Sequence, residues 1–213
     1  MIVLKLEGMN HVHVEVVKNI RIVVGKTLNT SVLKEEFKMN ETIQNIVSRR
    51  SVRKYKNDMV SKEKIEEIVK AGSYAPNGLK KQSPIIIAVS NKEMINKMAK
   101  LNAKVMGKGE DFDPFYGAPV VLVVLADKNN FTRVYDGSLV MGNLMNAAHS
   151  LGLGSCWIHR AKEVFETEEG KEILKSLGIE GEYEGIGNCI LGYPDCELPE
   201  ADPRKDNYVY YVE

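Results

Sequence analysis

The sequence has no apolar run long enough to cross a bilayer, no excess charge of either sign and few cysteines. Lysine plus arginine and aspartate plus glutamate each number 29 among 213 residues, so no global field attracts nucleic acid or an anionic membrane surface. The N-terminus lacks the charged, apolar and small-residue order of a signal peptide. We therefore expect a soluble, cytoplasmic chain with no nucleic-acid or membrane partner. With 44% hydrophobic residues, it can bury a full core.

The cysteines also lack the marks of a disulfide framework or a metal site. Cys156, Cys189 and Cys196 are odd in number and share no C-x-x-C spacing, which favours reduced, mostly buried thiols. Gly152-x-Gly154 lacks a third glycine and follows a helical pattern, which argues against a Rossmann nucleotide loop. Neither G-x-x-x-x-G-K-S/T nor G-x-S-x-G occurs. Any chemistry must therefore come from another arrangement.

A basic cluster at residues 48–55 organises the chain. It reads Ser-Arg-Arg-Ser-Val-Arg-Lys-Tyr and follows a short helical pattern at residues 43–47. Arginine presents a rigid fork of donors that fits phosphate oxygens in pairs, and serine adds a hydroxyl donor. The cluster is either an anion site or a solvated basic turn, and the motifs that follow favour the anion site.

Residues 1–38 differ from the rest, because their β-branched alternation gives way to a different pattern after Met39. Residues 34–39, Lys-Glu-Glu-Phe-Lys-Met, can be encoded by AAG GAG GAA TTT AAA ATG, a purine-rich ribosome-binding site, a spacer and a start codon. We hypothesise that translation starts at Met39. The domains are then an N-terminal extension, 1–38, outside the native domain, and a domain at 39–213.

Apolar periodicity from Met39 onward predicts helices and strands. Helices are predicted at residues 43–47, 61–72, 90–105, 136–151, 162–165 and 168–177. Ser61 is the predicted N-cap of the second helix, and Ser90 begins a capping box at the start of the third. Strands are predicted at residues 84–89, 120–126, 155–158, 185–191 and 207–212. Strand 84–89 is a continuous apolar run, which we expect to be buried on both faces if it lies centrally in the sheet. Loop 107–119 offers Phe112, Phe115 and Tyr116 either to a flat substrate or to the core.

Several short motifs occur in one order along residues 39–213. They are Arg-Arg-Ser-Val-Arg-Lys-Tyr at 49–55, Ala-Pro and Gln at 75, 76 and 82, Gly-Ala-Pro-Val-Val-Leu at 117–122, Asp136 with Asn143 and Ala147, Gly-Leu-Gly-Ser-Cys-Trp at 152–157 and Leu-Gly-Tyr at 191–193. This order resembles the nitroreductase family of flavin enzymes. The resemblance implies an α+β fold with helices around a central, mostly antiparallel sheet. It also implies an obligate homodimer with FMN at the subunit interface.

The resemblance implies residues for each end of the cofactor. Arg49 and Ser51 match the residues that bind the FMN phosphate, and Arg50 matches one along the ribityl chain. Arg204, with Lys205 beside it, matches the basic residues that complete the phosphate site. These two lie in a C-terminal arm that starts at about residue 194.

The flavin ring has its own set of expected contacts. Arg53 matches a residue at the pyrimidine end of the ring, and Gln82 matches a flavin contact. Lys80 stands where the family usually has asparagine, which puts that hydrogen bond in doubt. The segment expected beside the ring nitrogen N5 is Trp157, Ile158 and His159.

The implied chemistry needs no catalytic nucleophile or base from the protein. Hydride from NADH or NADPH leaves negative charge on the ring, and Arg53 is expected to stabilise it. Nitroaromatics, quinones or similar small-molecule acceptors then take the electrons in a ping-pong cycle. The alternatives are a narrow reductase of an activated alkene or another metabolite, and a flavin-binding carrier or sensor with little turnover.

Overall fold

The computed structural model describes residues 2–4, 12–14, 39–109 and 111–213. The chain divides into two compact units, residues 1–40 and 41–213. In the first unit, β1 (Ile2–Leu4) pairs antiparallel with β2 (Val12–Val14). The rest of residues 1–38, which we predict to be an extension, lies outside the described residues.

The second unit is an α+β structure with one antiparallel sheet, as predicted. The sheet has four strands in the order β3, β4, β6 and β5. These strands are β3 (Pro84–Val89), β4 (Val120–Asp127), β5 (Gly154–Ile158) and β6 (Tyr183–Gly192). The helices are α1 (Glu41–Ser48), α2 (Lys62–Ser73), α3 (Lys92–Val105), α4 (Arg133–Ser150), α5 (Ala161–Glu166) and α6 (Glu168–Ser176).

Helices cover both faces of the sheet, because the side chains of β4 alternate between two apolar clusters. Val121, Val123 and Leu125 pack in the cluster that contains residues of α3, α5 and α6. Val120, Leu122 and Val124 pack in the cluster that contains residues of α2 and α4. The sheet therefore forms the middle layer of this unit.

Strand β3 lies at the edge of the sheet, so the condition for burial on both faces is not met, and its first four residues are only half-buried. An apolar run does not by itself report the position of a strand in its sheet. Two predictions about the elements are wrong in detail. The N-cap of α3 is Asn91, whose side chain accepts from Met94 N, and not Ser90. Helix α4 begins at Arg133, three residues before the predicted Asp136.

The C-terminal arm is fixed at its start and exposed beyond it. Lys56 N donates to Tyr193 O at 2.9 Å, and Asp195 N donates to Lys54 O at 3.0 Å. Residues 195–213 are all exposed and contain no strand. The strand predicted at 207–212, for which a second subunit is one candidate partner, is not formed in the single chain, since nothing in the described residues pairs with it. None of the described helices is long and apolar enough for a membrane span.

Candidate functional site

The basic cluster is held against β5. Val52 N donates to Ser155 O at 3.0 Å, and Ser51 forms a parallel bridge with the same serine. The side chain of Val52 is buried and lies where a side chain on Gly154 would stand. This anchoring fixes the backbone that carries Arg49 and Ser51.

Arg49 has a buried donor with nothing to bind. Its Nη1 is buried and has no hydrogen-bond partner in the described part of the chain. The hydroxyl oxygen of Ser155 is also buried and has no hydrogen-bond partner among the described residues. A buried guanidinium nitrogen that lacks an acceptor is costly, and an anion bound beside it removes that cost. The arrangement can hold a phosphate group at this place.

Two of the three guanidinium nitrogens of Arg50 donate to backbone carbonyl oxygens. Its Nη1 donates to Val47 O at 2.9 Å and to Arg49 O at 2.7 Å. Its Nε donates to Pro199 O at 3.1 Å, which ties the C-terminal arm to the end of α1. Only Nη2 is left for the ribityl contact that we predict.

The other predicted cations are exposed in the single chain. Arg53 is exposed and has no hydrogen bond or ion pair among the described residues. Arg204 donates through Nε and Nη2 to Asp202 O, and Lys205 is exposed beside it. Their predicted cofactor contacts therefore remain predictions.

Lys80 and Gln82 lie in an unusual loop between α2 and β3. Leu79, Lys80 and Gln82 have φ values of 55°, 57° and 48°. Non-glycine residues adopt this left-handed region rarely. Asn77 Oδ1 accepts from Gln82 N at 2.8 Å, so the loop is closed on itself. Both predicted ring contacts are exposed in this loop.

The segment predicted beside the ring lies at the end of β5. The Trp157 and His159 rings are 5.9 Å apart between centroids. Trp157 Nε1 is buried without a partner in the described residues, and the indole occupies the space above Gly187. From α3, Asn102 Nδ2 donates to His159 O at 3.0 Å. This last contact was not predicted.

The loop aromatics divide between core and surface. Phe115 is 1% exposed and packs in the core, so its role as a substrate contact is excluded. Phe112 and Tyr116 are 37% and 40% exposed, which leaves them accessible. An aromatic residue in a loop carries no local signal that separates the two roles.

Sequence reasoning also missed a histidine beside the basic cluster. His149 Nε2 lies 2.8 Å from Ser48 Oγ. Burial, and then the positive charges of Arg49 and Arg50, lower the pKa of His149 below its usual value. The residue before the arginines and the end of α4 are 101 positions apart, so no local pattern joins them. The only signal was a histidine on a largely apolar helix.

This lowered pKa predicts a loss of stability in mild acid. His149 takes up a proton more readily in the unfolded chain than in the folded one, so the unfolded state binds more protons below about pH 6.5. The free energy of unfolding should therefore fall as pH drops from about 6.5 to the folded-state pKa. We expect His149→Gln to make this fall smaller in denaturant titrations of flavin-free protein.

His159→Gln is the matched control, because it makes the same substitution at an exposed histidine whose ring lies beside Trp157 and not beside Ser48. It should not reproduce the effect of His149→Gln. Equal pH dependence of the His149→Gln variant and the unmodified protein would contradict the assignment.

Comparisons with known proteins agree on one family. The sequence pattern of the nitroreductase family matches residues 46–193. An Archaeoglobus fulgidus protein, provisionally named NADH dehydrogenase/NAD(P)H nitroreductase, is 33% identical over 78% of this chain and 94% of its own. The NADPH-flavin oxidoreductase of Vibrio harveyi is 27% identical over 80% of this chain and 72% of its own. A nitroreductase structure with bound FMN from Bacteroides fragilis superposes with a TM-score of 0.74 at 28% identity, covering 82% of this chain and 100% of that one.

Proposed function

The chain belongs to the nitroreductase family, and on that premise we propose that it reduces nitroaromatic, quinone or related acceptors with bound FMN and NADH or NADPH. That it is an NAD(P)H-dependent flavin oxidoreductase follows from the family and its named relatives. The acceptors and a ping-pong order of donor and acceptor are our proposal. FMN, when bound, supplies a ring that accepts hydride from the nicotinamide and passes electrons on.

One observation carries the cofactor assignment. The buried Arg49 Nη1 has no acceptor within the described residues, and the neighbouring Ser51 is fixed to β5. An FMN phosphate supplies the missing acceptor oxygens through charge-assisted bonds. We therefore assign phosphate binding to Arg49 and Ser51, with Arg50 holding the end of α1 and the arm in place.

The predicted ring contacts support a site made by two copies of the chain. Gln82 and Lys80 lie next to β3, whereas Trp157, Ile158 and His159 lie at the end of β5 or just after it. These strands form opposite edges of the sheet, three strand spacings apart, or about 14 Å. Within one chain the sheet separates the two sets. We propose a homodimer in which β5 of one copy and the β3 loop of the other meet at one ring.

Exposed apolar side chains support the same dimer. Helix α1 has no buried residue, although its pattern is amphipathic. Large apolar patches on a single chain commonly mark contact surfaces. The large apolar side chains that are at least 44% exposed on α1 and α4 are Ile43, Ile46, Val47, Val134, Tyr135 and Leu139.

The other predicted ring and phosphate contacts complete the proposal. Arg53, exposed and unpaired among the described residues, stabilises negative charge at the pyrimidine end of the ring. Arg204 and Lys205 reach the phosphate from the C-terminal arm. No side chain is needed as nucleophile or base, so the described residues bind, orient and balance charge.

Reduction and reoxidation test this function. The purified protein is loaded with FMN, freed of unbound flavin and mixed anaerobically with NADH or NADPH, and then with a nitrofuran or a quinone. We expect the flavin absorbance to bleach and then return. Bleaching without return would favour the narrow reductase, and no bleaching would favour the carrier. Failure to retain FMN would remove all three functions.

We also propose that the native flavin domain is residues 39–213. The division of the chain near residue 40 and the family match that begins at residue 46 support this boundary. We expect the intact mass of protein from the native host to correspond to a start at Met39. A dominant species that contains residues 1–38 would contradict this start.

A truncated protein that begins at Met39 gives an independent check. It should fold and retain FMN with the same affinity as the full chain, because the assigned contacts all lie beyond residue 48. A loss of affinity in this variant would show that the extension takes part in the site.

A further inference from the structure

A buried carboxylate in the first turn of α4 holds the start of the loop between α2 and β3. Asp136 is 3% exposed, and its Oδ1 accepts from Gly78 N at 2.9 Å. Its Oδ2 accepts from Asn130 Nδ2 at 2.9 Å and from Thr132 Oγ1 at 2.8 Å. Charge-assisted bonds of this kind are stronger than neutral ones. Asp136 therefore fixes the backbone at Gly78.

The other end of the loop is tied to the same group of side chains. Asn130 Nδ2 also donates to Ser83 Oγ at 2.8 Å, and Asp127 N donates to Ser83 O at 3.3 Å. Inside the loop, Asn77 Oδ1 accepts from Gln82 N. The connection between β4 and α4 thus clamps residues 78–83 at both ends.

The clamped segment is strained. Leu79, Lys80 and Gln82 all have positive φ, which costs energy for residues with a Cβ. Several such residues in a short loop persist only where the surroundings impose the conformation. The buried bonds of Asp136 and Asn130 are the surroundings that do so here.

We propose that Asp136 is a positioning residue for the flavin ring, which acts through the loop of residues 77–83 to set Gln82 and Lys80 against the ring. This inference rests on the proposed function, because Gln82 and Lys80 touch the ring and Asp136 does not. As a consequence, Asp136 helps to set the reduction potential of the flavin, since fixed donors and cations beside the ring favour its reduced form.

Asp136→Asn tests the clamp at nearly constant volume. An amide side chain has one acceptor oxygen and an NH₂ group that only donates, so it cannot accept on both sides as the carboxylate does. In flavin-free protein we expect backbone amide exchange at Gly78 and Gln82 to accelerate at least tenfold, while exchange in β4 stays unchanged. This readout needs no bound cofactor.

Two flavin measurements complete the test. Riboflavin lacks the phosphate, so its affinity reports the ring contacts alone, and we expect it to weaken about tenfold in Asp136→Asn. We also expect Asp136→Asn to bind reduced FMN about tenfold more weakly, relative to oxidised FMN, than the unmodified protein does. This difference lowers the two-electron midpoint potential of the bound flavin by about 30 mV. A residue that serves only folding would leave this potential unchanged.

Asp127→Asn is the matched control. It makes the same charge change at the end of β4, but the Asp127 carboxylate accepts only from Asn129 within the described part of the chain. It should leave amide exchange, riboflavin affinity and potential unchanged. Asn77→Ala, which removes the bond to Gln82 N in an accessible loop, should shift the potential in the same direction if Asp136→Asn does not fold.

The outcomes separate this inference from the function on which it rests. If the unmodified protein binds neither FMN nor riboflavin, both are wrong. If it binds FMN, and neither Asp136→Asn nor Asn77→Ala changes riboflavin affinity or potential, the positioning role alone is overturned. Faster exchange in the loop together with a lower potential supports it.

Discussion

Replacing Arg49 by alanine is expected to weaken FMN binding between about 10-fold and 150-fold. The estimate follows from the loss of a charge-assisted hydrogen bond, which contributes roughly 1.5–3 kcal/mol. The effect should fall at the upper end, because Arg49 Nη1 is buried and has no other acceptor in the described chain. Equilibrium titration of FMN fluorescence measures the change.

Riboflavin gives this prediction its internal control. Arg49→Ala should bind riboflavin as well as the unmodified protein does, because the lost contact is to the phosphate. Lys54→Ala is a matched charge control in the same segment, since Lys54 pairs with Asp195 at 3.0 Å on an exposed surface and such pairs contribute little. Unchanged FMN affinity in Arg49→Ala would remove Arg49 from the site.

Ending the chain after Pro199 is expected to abolish both self-association and tight FMN binding. Residues 200–213 are all exposed in the single chain, and large apolar or aromatic side chains are concentrated at residues 208–212. Exposed apolar surface of this kind commonly marks a contact with a partner. The residues that make this surface are Tyr208, Val209, Tyr210, Tyr211 and Val212.

The truncation retains Pro199, whose carbonyl accepts from Arg50. The hydrogen bond between the basic cluster and the start of the arm is therefore kept. Loss of Arg204 and Lys205 removes the two charged phosphate contacts that we propose for the arm, and we expect FMN affinity to fall more than 100-fold. Sedimentation at micromolar concentration reports self-association. A truncated protein that remains a dimer with full FMN affinity would exclude the arm from both roles.

A full-length Arg204→Ala/Lys205→Ala protein separates charge from contact surface. It should remain a dimer, because the apolar end of the arm is intact. Its FMN affinity should fall, while its riboflavin affinity should not. Loss of the dimer in this variant would instead assign the two cations to the subunit contact.

The fold could be predicted from sequence wherever the deciding interactions are local. The N-cap of α2 is Ser61, as predicted, because its side chain accepts from Lys64 N three residues later. Strand β3 was placed correctly along the chain, but its place in the sheet was left open. Its position at the edge depends on pairing with β4 across more than thirty residues, which no local periodicity encodes.

The candidate site also has one part that a local motif reveals and another that depends on contacts distant in sequence. Arg49 and Ser51 stand in one short motif, so the basic cluster was visible in the sequence. The partners that hold the site were not, because Asp136 bonds to Gly78 across 58 positions and His149 lies beside Ser48 across 101. A charged residue on the buried side of α4 was the one local sign of such a partner, since an unpaired buried carboxylate is costly.

The retention and reduction of FMN test the central claim most directly. Protein loaded with FMN and passed through a desalting column should keep stoichiometric flavin, and its visible absorbance should bleach anaerobically with NADH or NADPH. A colourless protein after repeated loading would contradict the account.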